Sequence, residues 1–271
     1  MSRLDVYITD NGLVKSRERA KKLIKEGSVL VDGKVCTKPS AEVSDVDKIE
    51  VSDDMSDFVG RGALKLAGAF EEFPLDVTDK VCGDIGASTG GFTQCMLNHG
   101  AKLVYAVDVG HGQLDKSLCD NPKVINCEGV NARNLTADFF LCQPEFFSVD
   151  LSFISLKLVV KALYDCLCDN GEMAVLIKPQ FEAGKSALNK KGIVKNQKDH
   201  VRILSELSAF FHQVGFSVCG IVSSSIKGGD GNIEYLAFLK KGSSEDDFLL
   251  GFDIKNFVAV TFARFDKGDQ K

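Results

Sequence analysis

Residues 80–93 read KVCGDIGASTGGFT, and the order in which their character changes decides the fold. An apolar run stops at Gly86, crosses Ala87-Ser88-Thr89, and reaches Gly90-Gly91 before a helix-forming stretch begins. That is a strand, a glycine-rich turn and a helix start. Such a turn lets backbone approach a ligand closely and presents helix N-terminal N–H groups to the ligand's anionic part. Short apolar runs recur further along the chain: KLVYAVDV (102–109), KVINC (123–127), EFFSVD (145–150), EMAVLIK (172–178), FSVCGIVSS (216–224) and EYLAFLK (234–240). Helix-length segments separate most of them, which predicts an open α/β sheet. The final two runs lie close together and suit an antiparallel pair.

The turn narrows the choice of cofactor. Asp84 lies within the end of the first strand and Asp108 ends the second, where a carboxylate can accept hydrogen bonds from a ribose diol. A dinucleotide and S-adenosylmethionine both fit such a site. Dinucleotide folds usually show GxGxxG, whose glycines make room for pyrophosphate. Here Gly86 is followed by Ser88, where the second glycine would sit, and then by Gly90 and Gly91. That departure, with Asp84 two residues before Gly86, favours S-adenosylmethionine. Asn131, after the third strand, is a candidate adenine neighbour or simply a turn former. Six parallel strands and one antiparallel strand make the expected sheet, the architecture of Rossmann-like methyltransferases.

Composition excludes several classes. The chain has 271 residues, 44% of them hydrophobic and 26% charged, as in ordinary globular proteins. No apolar run is long enough to span a bilayer, and MSRLDVYITD lacks the pattern of a signal peptide, so a cytoplasmic location is expected. The nine cysteines are scattered, odd in number and never spaced as CxxC, and they read as free thiols. Neither they nor the four histidines have ligand spacing, so no metal site is expected.

The net charge of −5 hides a local positive patch. From Lys15 to Lys25 the chain carries Lys15, Arg17, Arg19, Lys21, Lys22 and Lys25 against one acid, Glu18. Ser16 can cap a helix here that ends before Gly27, with Ala20, Leu23 and Ile24 inward and the basic residues largely outward. SVLVDG and KVCTKP then form a hairpin about Asp32-Gly33. RLDVYI, SRERAKKLIKEGSVLVDGKVCTKPS and the closing DKIEV together resemble the S4 RNA-binding domain. The resemblance implies a shallow surface that grips folded RNA by phosphates and shape, through Arg3, Arg17, Arg19, Lys21, Lys22 and Lys25. A solvated helix face is the bland alternative. The expected units are an S4-like α+β domain over 1–52, an acidic linker over 53–60 and a methyltransferase domain over 61–241. Residues 242–271 form an extension with no functional reading.

Four ionisable residues fall near strand ends or in the entry segment: Lys65, Asp150, Lys178 and Glu234. An antiparallel final strand brings its beginning to the carboxyl edge of the parallel strands, so Asp150, Lys178 and Glu234 should converge. The set resembles the tetrad of FtsJ-type ribose 2′-O-methyltransferases. VGRGALKL, GDIGASTGGFT, VDLSFISL, IKPQFE and GNIEYLAF together resemble the TlyA (haemolysin A) family, which implies methylation of cytidine ribose in ribosomal RNA or ribosomal subunits. In that reading Lys178 lies nearest the hydroxyl, Asp150 and Glu234 orient it, and Lys65 holds ribose or phosphate. Asp150-Leu-Ser-Phe153 departs from the Asn/Asp-Pro-Pro-aromatic loop of base amino-methyltransferases, and no Pro-Cys supports C5-cytosine chemistry. Phe153 is placed either to stack on a base or to join the core. Two rival readings remain: a non-catalytic ribosome-assembly factor and a membrane-active haemolysin, the latter without a signal peptide, a spanning segment or a long cationic amphipathic helix to support it.

Overall fold

The computed structural model describes residues 2–14, 16–25, 27–51, 58–242, 247, 249 and 251–268. The chain divides into two units, Met1–Arg61 and Gly62–Lys271. In the first, β1 (Ser2–Arg3) leads into α1 (Leu4–Asp10), and α2 (Arg17–Lys25) follows. Leu4 and Ile8 of α1, with Ala20, Leu23 and Ile24 of α2, recur at helical spacing and are fully buried. Ser16 caps α2 by accepting the Arg19 N–H at 3.2 Å. Gly27 then turns the chain at φ +78°, a conformation that suits glycine. Strands β2 (Val29–Val31) and β3 (Lys34–Val35) are antiparallel. Asp32 (φ +53°) and Gly33 (φ +74°) join them, the two positive φ values of a type I′ turn. β4 (Glu42–Val43) pairs with β1, and β5 (Ile49–Val51) pairs with β2. The acidic stretch 53–57, read above as linker, lies outside the described residues.

The second unit opens with α3 (Ala63–Glu72), then β6 (Val81–Ile85), α4 (Gly91–Asn98), β7 (Leu103–Asp108), α5 (Lys116–Cys119) and β8 (Val124–Glu128). β9 (Phe146–Val149), α6 (Val160–Cys166), β10 (Glu172–Ile177), α7 (Pro179–Glu182) and α8 (Gln197–Val214) come next. β11 (Phe216–Ser223), β12 (Tyr235–Lys241) and α9 (Ile254–Gly268) complete it. All seven apolar runs of this part are strands of one sheet, in the order β11-β12-β10-β9-β6-β7-β8. β12 runs antiparallel to both its neighbours and the other six strands are parallel, as the sequence predicts. β6 is buried along its whole length, which fits a central strand covered on both faces.

The chain moves outward from β6 to β7 and β8, then returns to β9 on the other side of β6. That reversal is the topological switch point beside which open α/β sheets bind ligands. The extension after residue 242 has a packing role. Phe257 of α9 lies 5.8 Å from the Tyr235 ring, and Phe262 stands edge-on to His200 at 4.9 Å.

Candidate active site

At the switch point two strand ends press together. Gly86 donates its N–H to the Val107 carbonyl at 2.8 Å, and Asp150 donates its N–H to Ile85 at 2.9 Å. A Cβ on Gly86, whose φ is +88°, would collide with the Asp150 carbonyl. The position therefore needs glycine. Ser88 follows at φ +48° and donates its N–H to Asp108 Oδ2 at 2.8 Å, while Gly110 donates to Oδ1 at 2.7 Å. Both oxygens of Asp108 are thus oriented by backbone. Beside them opens a cleft of about 430 Å³, lined by Gly86, Ser88, Asp108, Gln113, Asn131 and Asp150 among others, a volume typical of small-molecule sites. Asn131 is a turn former whose Oδ1 accepts the Arg133 N–H at 3.0 Å, and it lines the cleft.

Three residues expected at the cofactor lie elsewhere. Asp84 is fully buried and accepts hydrogen bonds from Thr93 Oγ1 at 2.7 Å and Ser148 Oγ at 3.2 Å. Strand alternation turns it inward, so it ties α4 and β9 to β6 beneath the turn instead of meeting a ribose. Its burial pushes the carboxyl up to about 7. Gly90, at φ +92°, is packed against Leu114 and Leu118, and Gly91 is a buried first residue of α4.

Sequence reading missed what shapes the near wall. Glu128, the last residue of β8, accepts the N–H groups of Gln113 at 2.6 Å and Leu114 at 3.0 Å. The Leu114 and Gln113 donors, with that of Gly112, hold its carboxyl down at about 2. They also hold Gln113 against the cleft. On the other wall, Glu182 accepts from Ser155 Oγ at 2.6 Å and the Leu156 N–H at 2.8 Å. A carboxylate just after a strand end was the available signal for Glu128. IKPQFE contained Glu182 without revealing its target.

The four ionisable residues converge, as two pairs. Ile177 pairs with Tyr235 across β10 and β12, which sets Lys178 and Glu234 side by side at the same edge. Lys178 Nζ lies 2.5 Å from Asp150 Oδ1, an ion pair without hydrogen-bond alignment, and donates to Ser152 Oγ at 2.8 Å. Lys65, carried by α3, lies 2.6 Å from Glu234 Oε2, with both side chains under a tenth exposed. Gln180 Nε2 donates to the other Glu234 oxygen at 3.3 Å. A Cβ on Gly228 would strike that carboxylate. Glu234 is thus the counter-ion of Lys65, whose side chain is buried, while Lys178 has Asp150 and Ser152 as its partners. Phe153 lines the cleft at 91% exposure and φ +64°, its ring 5.0 Å from Phe181. It is not core.

In the first unit, Arg3 and Arg17 both grip buried Asp5, at 2.9 and 3.2 Å. The Arg3 guanidinium, then that of Arg17, holds the Asp5 carboxyl below its usual range. Arg19 donates to the Phe58 carbonyl. Lys25 is exposed and Lys21 half-buried, while the Lys22 side chain lies outside the described residues. Among the described residues no His, Cys, Asp or Glu group could hold a metal ion. No helix among them is long and apolar enough to cross a membrane.

Known families match the chain twice, as an S4 domain over residues 2–49 and as an FtsJ-like methyltransferase over residues 58–241. YqxC of Bacillus subtilis, designated an rRNA methyltransferase, is 43% identical over 238 residues, covering 88% of this chain and 85% of its own. The Mycobacterium tuberculosis protein named 16S/23S rRNA (cytidine-2'-O)-methyltransferase TlyA is 39% identical over 240 residues, 88% of this chain and 90% of that one. A solved structure from Streptococcus thermophilus, designated a hemolysin, superposes with a TM-score of 0.80 at 41% identity, over 99% of this chain and 98% of the other.

Proposed function

Since the chain belongs to the TlyA (haemolysin A) family of FtsJ-like methyltransferases with an S4 domain in front, we propose that it transfers a methyl group from S-adenosylmethionine to the 2′-hydroxyl of a cytidine ribose in ribosomal RNA. The observation that carries this is the Lys178–Asp150 pair at the lip of a cleft whose far end is ordered around Asp108. Ribosomal RNA or a ribosomal subunit is the partner in this reading, and the cytoplasm the place.

The cleft suits the cofactor. Gly86 offers bare backbone, the Asp108 carboxylate suits a ribose diol, and Asn131 stands on the wall where adenine would lie. When bound, S-adenosylmethionine supplies an electrophilic methyl group on a sulfonium. Everything else falls to the chain. A ribose hydroxyl is a weak acid and a poor nucleophile, so its proton must go as the oxygen attacks. Lys178 orients that oxygen with an N–H, and the hydroxyl proton passes to the Asp150 carboxylate beside it and from there to solvent. Lys65, Glu234 and Gln180 brace the floor, and Phe153 covers the acceptor base. Holding the reacting atoms in line supplies much of the remaining acceleration.

The test is to incubate the full chain with methyl-tritiated S-adenosylmethionine and ribosomal subunits from a strain lacking the gene, then hydrolyse the RNA in alkali. A 2′-O-methyl group blocks cleavage at its own nucleotide, so label is expected in alkali-stable dinucleotides. Label in mononucleotides would mean base methylation and overturn the reading, and no label at all would favour a non-catalytic assembly factor.

A further inference from the structure

Between Ala183 and Asp199 the chain carries Lys185, Lys190, Lys191, Lys195 and Lys198 and no acid. All five are exposed. Elsewhere the protein pairs many of its lysines, as with Lys65, Lys80, Lys157, Lys161 and Lys178. A basic cluster for which no ion pair occurs among the described residues, on a chain of net charge −5, is out of keeping with the rest.

This segment is held in place. Leu188 and Val194 bridge antiparallel, and Asn189 Oδ1 accepts the N–H groups of Lys191 at 2.8 Å and Ile193 at 3.0 Å. The result is a tight hairpin with Lys190 and Lys191 at its tip. Asn232, fully buried, accepts the Val194 N–H at 3.1 Å and donates to the Gly192 carbonyl at 3.2 Å. Buried His200 adds a contact to the Val194 carbonyl at 2.9 Å. The hairpin thus begins just after α7, which starts beside Lys178, and is bolted to the residue two before Glu234. Both attachments lie within a few residues of the two ion pairs in the chain, Asn232 before Glu234 and α7 after Lys178.

We infer that this hairpin is a second RNA-gripping element, which binds phosphates flanking the target ribose without reading sequence. The inference rests on the proposed methyl transfer to RNA. Lysine is a mobile point charge suited to phosphate, and phosphate contacts position a nucleic acid without specifying it. Tryptophan, tyrosine and phenylalanine are missing from residues 183–199, so base stacking is not what the segment offers. Most of its apolar residues face inward: Val194 is buried, Ala187 and Leu188 pack on the core, and Ile193 is half-buried. That leaves no apolar face to enter a membrane.

The test compares full-length K190Q/K191Q with wild type and with a charge-matched control, K102Q/K123Q. Lys102 and Lys123 are exposed just before β7 and β8, at the opposite edge of the sheet. Affinity for ribosomal subunits is measured across 50–200 mM salt, with S-adenosylmethionine affinity as the folding check. Each lost phosphate contact reduces the slope of log K against log salt by about 0.7–0.9. K190Q/K191Q is expected to flatten the slope by about 1.5 and weaken subunit binding about tenfold at 150 mM salt, with cofactor binding unchanged and the control like wild type. An unchanged slope in K190Q/K191Q, or an equal change in the control, would overturn the inference. So would anionic phosphatidylglycerol vesicles that bind wild type and not K190Q/K191Q. Failure of wild type to methylate any RNA would instead remove the reading beneath it.

Discussion

Phe153 holds a positive φ and an exposed ring, two features a residue with a large side chain rarely combines. The left-handed region costs such a residue about 1–2 kcal/mol, and strain of this kind gathers where a ligand is held. Phe153→Gly is expected to raise or preserve the melting temperature while lowering the rate of methyl transfer. A variant of full activity would make the ring ornamental. Lys178→Ala should reduce transfer at least a hundredfold, the scale of a lost group in the proton-transfer step, with cofactor affinity within a few-fold by calorimetry. Asp84 gives a pH signature of its own. Its folded carboxyl titrates at about 7 and an unfolded one near 4, so the native state keeps a proton that the unfolded chain releases. Its effect on stability is absent below about pH 4 and fully unfavourable above about pH 7. Urea midpoints should fall between pH 5 and 8 in wild type, and Asp84→Asn should lose that part of the fall.

At the scale of elements, what the sequence made legible followed from local chemistry. Strand alternation and turn residues disclosed all seven strands of the sheet, the capped α2 and the Asp32-Gly33 hairpin, because each is dictated by neighbours in the chain. Partner choice was not local. Lys65 meets Glu234 and Arg17 meets Asp5 because separate elements pack together, and no spacing rule could assign those pairs. The same holds for Glu128, whose carboxylate ties β8 to the segment 112–114. That carboxyl sits at about 2, so its stabilising effect is complete above about pH 4.5 and fades as pH falls towards 2. Amide hydrogen exchange of Gln113 and Leu114 should be slow at neutral pH and quicken selectively in Glu128→Gln. Equal protection in both proteins would mean that other contacts hold the segment.

For the molecule as a whole, two units with separate cores carry separate tasks, and the acidic average conceals where positive charge is kept. In the S4 unit Arg3 of β1 and Arg17 of α2 are partly engaged by Asp5, which leaves Lys21 and Lys25 as the better targets for a binding test. Replacing both by Gln should reduce the salt dependence of ribosome binding and leave the thermal stability near wild type, whereas Arg17→Gln should lower stability because it loosens its hold on a buried carboxylate. One feature of the sheet also sets the order of events during synthesis. β12 is the last strand in the chain, yet it lies between β10 and β11. Until residues 235–241 leave the ribosome, both of those strands keep an unpaired edge, a hazard for sticking to other chains. Glu234 arrives with the same segment. The strand that closes the sheet therefore also completes the Lys65–Glu234 pair, so edge protection and the floor of the site are finished together.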